Sequence, residues 1–452
     1  MKREWMELEA FDWRYSAAIV GLLQYFRWLG KKEPEFELTE EVLRFPAELI
    51  NESDYLKFVE YKYPEDMHHL VIEEMVMLNQ PSDEQVKLVN EKLAANTILK
   101  KVFKKVKYDG TNAEEILALL NENREEIIRE TYRNKVNLYR NYCNTNQLFE
   151  GSKDCCRLLG YYVDMPKKGK ALSYNFNISN FVARDEQIFD FIPFAFYGER
   201  DFFFINDNTN LKLLEKTNSH FDFKIQEEKK AARDIGKAVD ARQIFFEVLI
   251  GAESFIKSDV EIITKNVERT HFETLFLRDS SLKILRSLAE KAGEKSIYQC
   301  FCFKVKITDN YWLDIFKKVT DAIVNMVLLD DLINYLLRHN QDNSYTYVIS
   351  QLIRLNVRIK EEKEMDKGMK TAYACAKRVV QKRDKVPDNK LEAYNKKLTS
   401  ALTLEDYDRF CQILLNLANY AEESFDFAYD LFEDFERNKE LAYTFVNALR
   451  RA

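Results

Sequence analysis

Glycine and proline are scarce in this chain, 11 and 7 among 452 residues. They supply the positive-φ turns and enforced breaks on which many short strands depend. Their scarcity argues against a large β-sandwich, a propeller or a collagen-like repeat. Long apolar runs are missing too, and no stretch approaches the roughly 18 uncharged residues of a membrane-spanning helix. The segment from Lys2 to Glu9 is charged, so no signal-peptide core is expected. The seven cysteines (143, 155, 156, 300, 302, 375 and 411) follow no disulfide-framework spacing. A reduced, cytoplasmic protein with no membrane partner is the expectation.

Catalytic signatures are equally hard to find. The chain has no P-loop, no G-x-G-x-x-G, no G-x-S-x-G and no H-E-x-x-H. Of its five histidines, His68 and His69 are adjacent and diverge in any regular structure, a poor chelating pair. Cys155–Cys156 and Cys300-x-Cys302 miss the C-x₂₋₄-C spacing of structural zinc. No catalytic residue, metal or cofactor is assigned, and a non-enzyme is expected. A hydrolase built on His68, His271 and nearby carboxylates stands behind the binding functions considered below.

What is present is apolar and aromatic surface, 46% and 13% of residues, ample to offset the entropy of ordering. The length suggests two or three domains. Glycine is also uneven: Gly151, Gly160, Gly169, Gly198, Gly236 and Gly251 crowd the middle, whereas Gly368 stands alone after Gly293. The expected fold class is α+β, with a mixed α+β N-terminal body (1–310) followed by an all-α C-terminal helical bundle (311–452). Within the body, 1–150 reads as helical and mixed and 151–310 as a β-containing core.

Ala17 to Trp28 reads as a buried apolar helix. Phe36 to Ile50 suggests a strand and turn ending near Pro46, and the alternation from Leu56 to Tyr63 suggests a half-buried strand. Asp83 to Lys107 and Asn112 to Tyr142 read as two helices, the second opened by a Thr111/Glu114 capping box. Asp190 to Asn206 reads as a hairpin around Gly198, Val260 to Leu277 as β-branched alternation, and Phe301 to Ile307 as a strand. Ala231 to Ile250 reads as helical. From Tyr311 onward, apolar residues recur every three or four positions, with breaks implying four or five helices.

Charge is distributed more tellingly than its total of −7. Residues 351–400 carry 14 Lys+Arg against 7 Asp+Glu, while 401–452 carry 5 against 11. Arg354, Arg358, Lys377, Arg378, Lys382, Arg383, Lys385, Lys396 and Lys397 form a basic face of the kind that neutralises phosphates. A solvated helix face explains it equally well. Lys100, Lys101, Lys104 and Lys105 would stack as like charges four apart, a cost that a bound anion would relieve, and a lysine-rich surface helix explains them equally well. In Lys167 to Asn180, a basic tip at Lys167, Lys168 and Lys170 precedes Asn175, Asn177 and Asn180, residue types that hold phosphates and touch base edges. An ordinary polar loop accounts for that stretch too.

The order of certain pieces resembles a known family. Phe191-Ile-Pro-Phe-Ala-Phe196 with Phe203-Phe-Ile-Asn206, the opening Phe11-Asp-Trp-Arg-Tyr-Ser-Ala-Ala-Ile-Val-Gly-Leu-Leu23, Phe246-Glu-Val-Leu-Ile250 and His271-Phe-Glu-Thr-Leu-Phe-Leu277 look like the C-x-x-C…C-x-x-C family of CRISPR-associated large subunits. The pattern from Asn389 to Tyr420, through Asp406-Tyr-Asp-Arg-Phe410, is similar as well. The name-giving cysteine pairs are not intact: only Asp154-Cys155-Cys156-Arg157-Leu-Leu-Gly160 stands where the first would fall, so no zinc site is implied.

The resemblance implies a non-catalytic large subunit of a type I Cascade complex. Such a subunit reads the motif flanking the target in duplex DNA, assists strand separation, holds the displaced strand and recruits the helicase-nuclease. Its implied partners are the other Cascade subunits, CRISPR RNA, target double-stranded DNA and that helicase-nuclease. Sequence is then read by base pairing, with shape and flanking motif read by protein. Lys167, Lys168 and Lys170 with Asn175, Asn177 or Asn180 would meet the flanking motif, and the face around Arg378, Lys382 and Arg383 would hold the displaced strand. A stand-alone RNA-binding or protein-interaction scaffold is the alternative.

Overall fold

The computed structural model describes residues 4–32, 35–78, 81–153, 156–160, 184–198, 201–235, 259–269, 271–284, 301, 303–309, 311–340, 342–361 and 365–450. They divide into two compact units, Met1–Phe276 and Leu277–Ala452. The fold is mixed α+β, with small sheets among many helices.

The N-terminal unit is organised around α1 (Trp13–Trp28), which is buried almost all round from Arg14 to Phe26. A helix apolar on every face belongs inside a core. Asp12 caps it by accepting from the Arg14 N–H at 2.8 Å. An antiparallel sheet flanks it, in the order β1 (Trp5–Glu9), β3 (Val42–Pro46), β2 (Glu37–Leu38), with Leu8 paired to Leu43. A 3-10 segment, Gln187–Ala195, lies against α1. Gly21 permits that approach, because a Cβ there would drive into the Phe191 backbone carbonyl. Tyr25, Tyr55, Phe58, Phe191 and Phe194 interlock nearby at centroid separations of 4.7–5.6 Å, within the range of favourable aromatic pairs.

Beyond this core, β4 (Tyr197–Gly198), β5 (Asp201–Asn206), β6 (Val260–Asn266) and β7 (Phe272–Leu277) make a sheet in that order. The helix α9 (Leu211–Ile235) grips it through Asn218, whose amide donates to the Ile205 carbonyl at 2.8 Å. A satellite core joins α3 (His68–Val76), α4 (Asp83–Leu93), α5 (Thr97–Phe103), α6 (Ala113–Glu122) and α7 (Arg124–Asn134).

Several sequence expectations are corrected here. Leu56 to Lys62 lies not in a strand but in α2 (Glu52–Lys62), which Tyr63 ends and Asn51 caps by accepting from the Asp54 N–H. Tyr55, Leu56, Phe58 and Val59 are its buried positions, a helical spacing. The stretches 83–107 and 112–142 break into α4 and α5, and into α6, α7 and α8 (Tyr139–Tyr142). No Thr111 capping box forms, since Thr111 is tied to Asp109 Oδ1; Ser82 and Gln85 make one instead. The first half of the expected 190–206 hairpin is the 3-10 segment, leaving β4 and β5 as the paired part. The end of the helical reading 231–250 lies outside the described residues.

In the C-terminal unit a helical turn at 279–284 comes first, and the antiparallel hairpin β8 (Lys304–Thr308) and β9 (Tyr311–Asp314) lies before the main run of helices. Then follow α10 (Ile315–Asn325), α11 (Asp330–His339), α12 (Thr346–Ile359), α13 (Met365–Gln381), α14 (Asp388–Thr403), α15 (Tyr407–Ala421), α16 (Ala428–Glu433) and α17 (Lys439–Ala448). Eight helices among the described residues replace the four or five expected. Three extra breaks come after α10, α15 and α16; Met326 and Glu422 end α10 and α15 in the left-handed conformation without a glycine to signal it, and Asp434 ends α16 in an extended one. Every residue of α17 is buried, so it forms the axis of the unit. Gly368 lets α13 approach it, its missing Cβ position lying 2.8 Å from Leu441 Cδ2. The buried Glu440 is answered by Lys360 at 2.8 Å.

Candidate nucleic-acid interface

On α12, Tyr347, Gln351, Arg354 and Arg358 recur at four, three and four residues; on α13, Asp366, Lys370, Tyr373 and Lys377 do the same. That spacing places each set on one helical face. The other faces carry buried residues, Ile349, Leu352, Ile353 and Asn356 on α12 and Ala372, Cys375, Ala376 and Val379 on α13. Burying one side of each helix therefore brings the two polar stripes into one groove of about 810 Å³, with Thr444 and Asn447 of α17 at its floor.

The groove is cationic and aromatic. Among the described residues, Arg354, Arg358, Lys370 and Lys377 line it against one carboxylate, Asp366, which lies 3.4 Å from Arg358 Nη2. Arg354 and Lys370 stand exposed and make no ion pair among the described residues. Tyr347 and Tyr373 are 54% and 52% exposed. Lys377 Nζ sits 5.6 Å from the Tyr373 ring centroid, a cation–π arrangement. Asn447 donates to the Thr346 carbonyl at 2.9 Å, while its buried Oδ1 has no hydrogen-bond partner among the described residues.

The rest of the basic face points elsewhere. Arg378 and Lys382 reach Glu423 at 2.9 and 2.7 Å, and Lys385 pairs with Glu422. Lys382 also donates to the Ala421 and Glu422 carbonyls at the end of α15, where cations satisfy orphan acceptors. Hydrogen bonds from Lys382 and Arg378 hold the Glu423 carboxyl below its usual range. These two residues are thus engaged in joining α13 to α15. Lys396 pairs with Glu392 one turn away at 2.6 Å, and Arg383 and Lys397 are exposed.

The lysine cluster of the N-terminal unit is not one stacked face. The helix α5 stops at Phe103, and Lys104 adopts φ +50°, so Lys104 and Lys105 leave the line of Lys100 and Lys101. All four are exposed, and Lys101 pairs with Glu126 at 2.9 Å. Lys167, Lys168, Lys170, Asn175, Asn177 and Asn180 lie outside the described residues.

His69 is buried with Nε2 2.6 Å from Glu60 Oε1, and His271 lies 3.5 Å from Glu273. Burial, with Lys92 and Lys135 nearby, lowers the His68 pKa. Among the described residues no group of three or more His, Cys, Asp or Glu is arranged to hold a metal. Where the sequence keeps Cys155-Cys156-Arg157, Arg157 is fully buried and bridges Asp185 at 3.0 Å and Asp190 at 2.8 Å. Asp190 also accepts from Tyr139 Oη at 2.6 Å and the Phe149 N–H at 2.8 Å. Burial still pushes its pKa up to about 6, against the pull of Arg157. The Cys143 and Cys156 thiols are likewise raised by burial, which suppresses thiolate chemistry.

Tyr347, Lys370, Tyr373 and Asn447 escaped the sequence reading. The signal for three of them was there, in the matching four-three-four spacing of two consecutive helices.

The chain is thus an α+β protein whose helical unit presents a cationic, tyrosine-flanked groove, a surface suited to a polyanion. The family described as CRISPR-associated protein Csx8 matches residues 6–449, and the chain belongs to it. That match bears out the resemblance to CRISPR-associated large subunits. No curated protein and no solved structure matches the chain.

Proposed function

We propose that this chain is the large, non-catalytic subunit of a type I RNA-guided surveillance complex acting in the cytoplasm. In this reading it recognises the target-flanking motif in duplex DNA, assists strand separation, keeps the displaced strand on its helical unit and recruits the helicase-nuclease. The segment Lys167 to Asn180 is the assigned flanking-motif contact. CRISPR RNA and the companion Cascade subunits are its partners. The observation that carries the reading is the family match along almost the whole chain. A non-catalytic role is supported by where the reactive side chains lie: His69 is locked to Glu60, and Cys143 and Cys156 are sealed in the core.

The test is expression together with the neighbouring CRISPR genes and array. The chain is expected to co-purify with CRISPR RNA and companion subunits in fixed proportion. Purification alone, free of RNA, would sink the reading. Within an assembled complex, replacing Lys167, Lys168 and Lys170 by Ala should weaken target-duplex binding, and unchanged binding with unchanged motif preference removes the loop assignment.

A further inference from the structure

We infer that the groove between α12 and α13 is a binding site for single-stranded nucleic acid, with Tyr347 and Tyr373 as base-stacking platforms and Arg354, Lys370 and Lys377 as phosphate contacts. The inference rests on the reading above only for which strand arrives there; the site itself is argued from its own chemistry.

Tyr347 and Tyr373, half-exposed on the walls of one concave surface, offer ring faces to whatever enters it. Single-strand binders combine this same pair of features, a cationic track for the backbone and aromatic faces for the bases. The cations here are poised rather than spent. Arg354 and Lys370 have no ion pair among the described residues, whereas Arg378, Lys382 and Lys385 on the other side of α13 are consumed by Glu422 and Glu423. Lys377 lies over the Tyr373 ring and adds charge where a stacked nucleotide places its phosphate.

Duplex DNA would meet only half of this site. Its bases are already stacked on one another, so the tyrosines would find no free face, and only the phosphate contacts would remain. A single strand satisfies both. Stacking reads no base identity, so the groove is tolerant of sequence. That is the property required of a site that must hold any displaced strand.

The experiment uses the full chain and fluorescein-labelled oligonucleotides of twelve thymidines or twelve uridines, a blunt duplex of the same length, and a single mononucleotide. Both single strands should bind, with the DNA and RNA arms showing which sugar is preferred, and the duplex should bind at least about tenfold more weakly. Tyr347→Ala and Tyr373→Ala should each cost about tenfold in affinity, a typical loss for one stacked base, while Tyr347→Phe and Tyr373→Phe retain it. Arg354→Glu with Lys370→Glu should weaken binding further and flatten its salt dependence, since each phosphate contact contributes about −0.7 to the log–log slope for single strands. These side chains are exposed, so the variants keep the parent's melting temperature. Duplex or mononucleotide binding as tight as single-strand binding, or alanine and glutamate variants that bind like the parent, overturns the site. If CRISPR RNA co-purifies but the groove variants bind normally, only this inference fails; if the groove binds but no RNA co-purifies, only the large-subunit reading fails.

Discussion

Arg157, in the N-terminal unit, is fully buried between Asp185 and Asp190, while Arg354, in the C-terminal unit, stands exposed on α12 and makes no ion pair among the described residues. Both are guanidinium groups in helix-rich surroundings, yet one is structural and the other available. The difference lies in what each would cost if its partner were taken away. A charge removed from water must be answered by neighbours at close range, whereas an exposed one is answered by solvent. The N-terminal unit spends polar groups on holding its own loops. It ties 150–160 to 185–190 through Arg157, and the Arg269 carbonyl to Lys265, whose burial lowers its pKa to about 8. In the C-terminal unit Arg354 and Lys370 stay exposed and make no ion pair among the described residues.

The largest effect expected from this contrast comes from Arg157→Met. It strands two carboxylates in the core, and losing one partner of a buried pair typically costs about 3–5 kcal/mol. Hydrogen exchange should show early opening of the N-terminal unit with protection unchanged in α12–α17. Equal loss in both units would show that they do not respond independently.

Next is a pair of glycines. Gly21→Ala forces a Cβ onto the Phe191 carbonyl, and backbone must move, for about 1–3 kcal/mol in denaturant unfolding. Gly368→Ala meets only the tip of Leu441, and alanine gains about 1 kcal/mol of helix propensity over glycine. The second substitution should therefore change stability by less than about 1 kcal/mol. If the two cost the same, the backbone approach at Gly21 is softer than the packing indicates.

A comparably small effect is one of pH. Asp190 takes up its proton near pH 6 in the folded protein and near its ordinary value of 3.8 when unfolded. Between those values the folded state binds more protons, so this group's contribution to stability rises as pH falls. Between pH 7 and 5 the parent should gain about 1 kcal/mol relative to Asp190→Asn, measured by urea unfolding at both pH values. A constant difference would mean that Asp190 stays ionised throughout that range.

Much of the architecture was legible in the chain because burial imposes period. Ala17 to Trp28 has no polar face to show water, so only a central helix suits it. In Leu56 to Tyr63 the same logic misleads, since over eight residues alternation and helical spacing overlap at Leu56 and Phe58. There the local cap at Asn51 and the aromatic partners of Phe58 decide for helix. The basic residues of 351–400 were visible as a cluster, but their division was not. Arg378 and Lys382 find Glu423 across 45 and 41 positions of sequence, a pairing that only the turn after α15 creates.

By itself, then, the sequence determined the α+β class, the central apolar helix, the helical C-terminal region and the presence of excess cation there, because hydrophobic period and residue count are local properties. Tertiary structure alone decided which cations are consumed and which remain. That outcome depends on α17 being buried as an axis, with α12 and α13 turned so that Tyr347 and Tyr373 share a groove with Arg354 and Lys370. Charge is written in the chain, but its neutralisation acts over a few ångströms, and such distances exist only once the helices have packed.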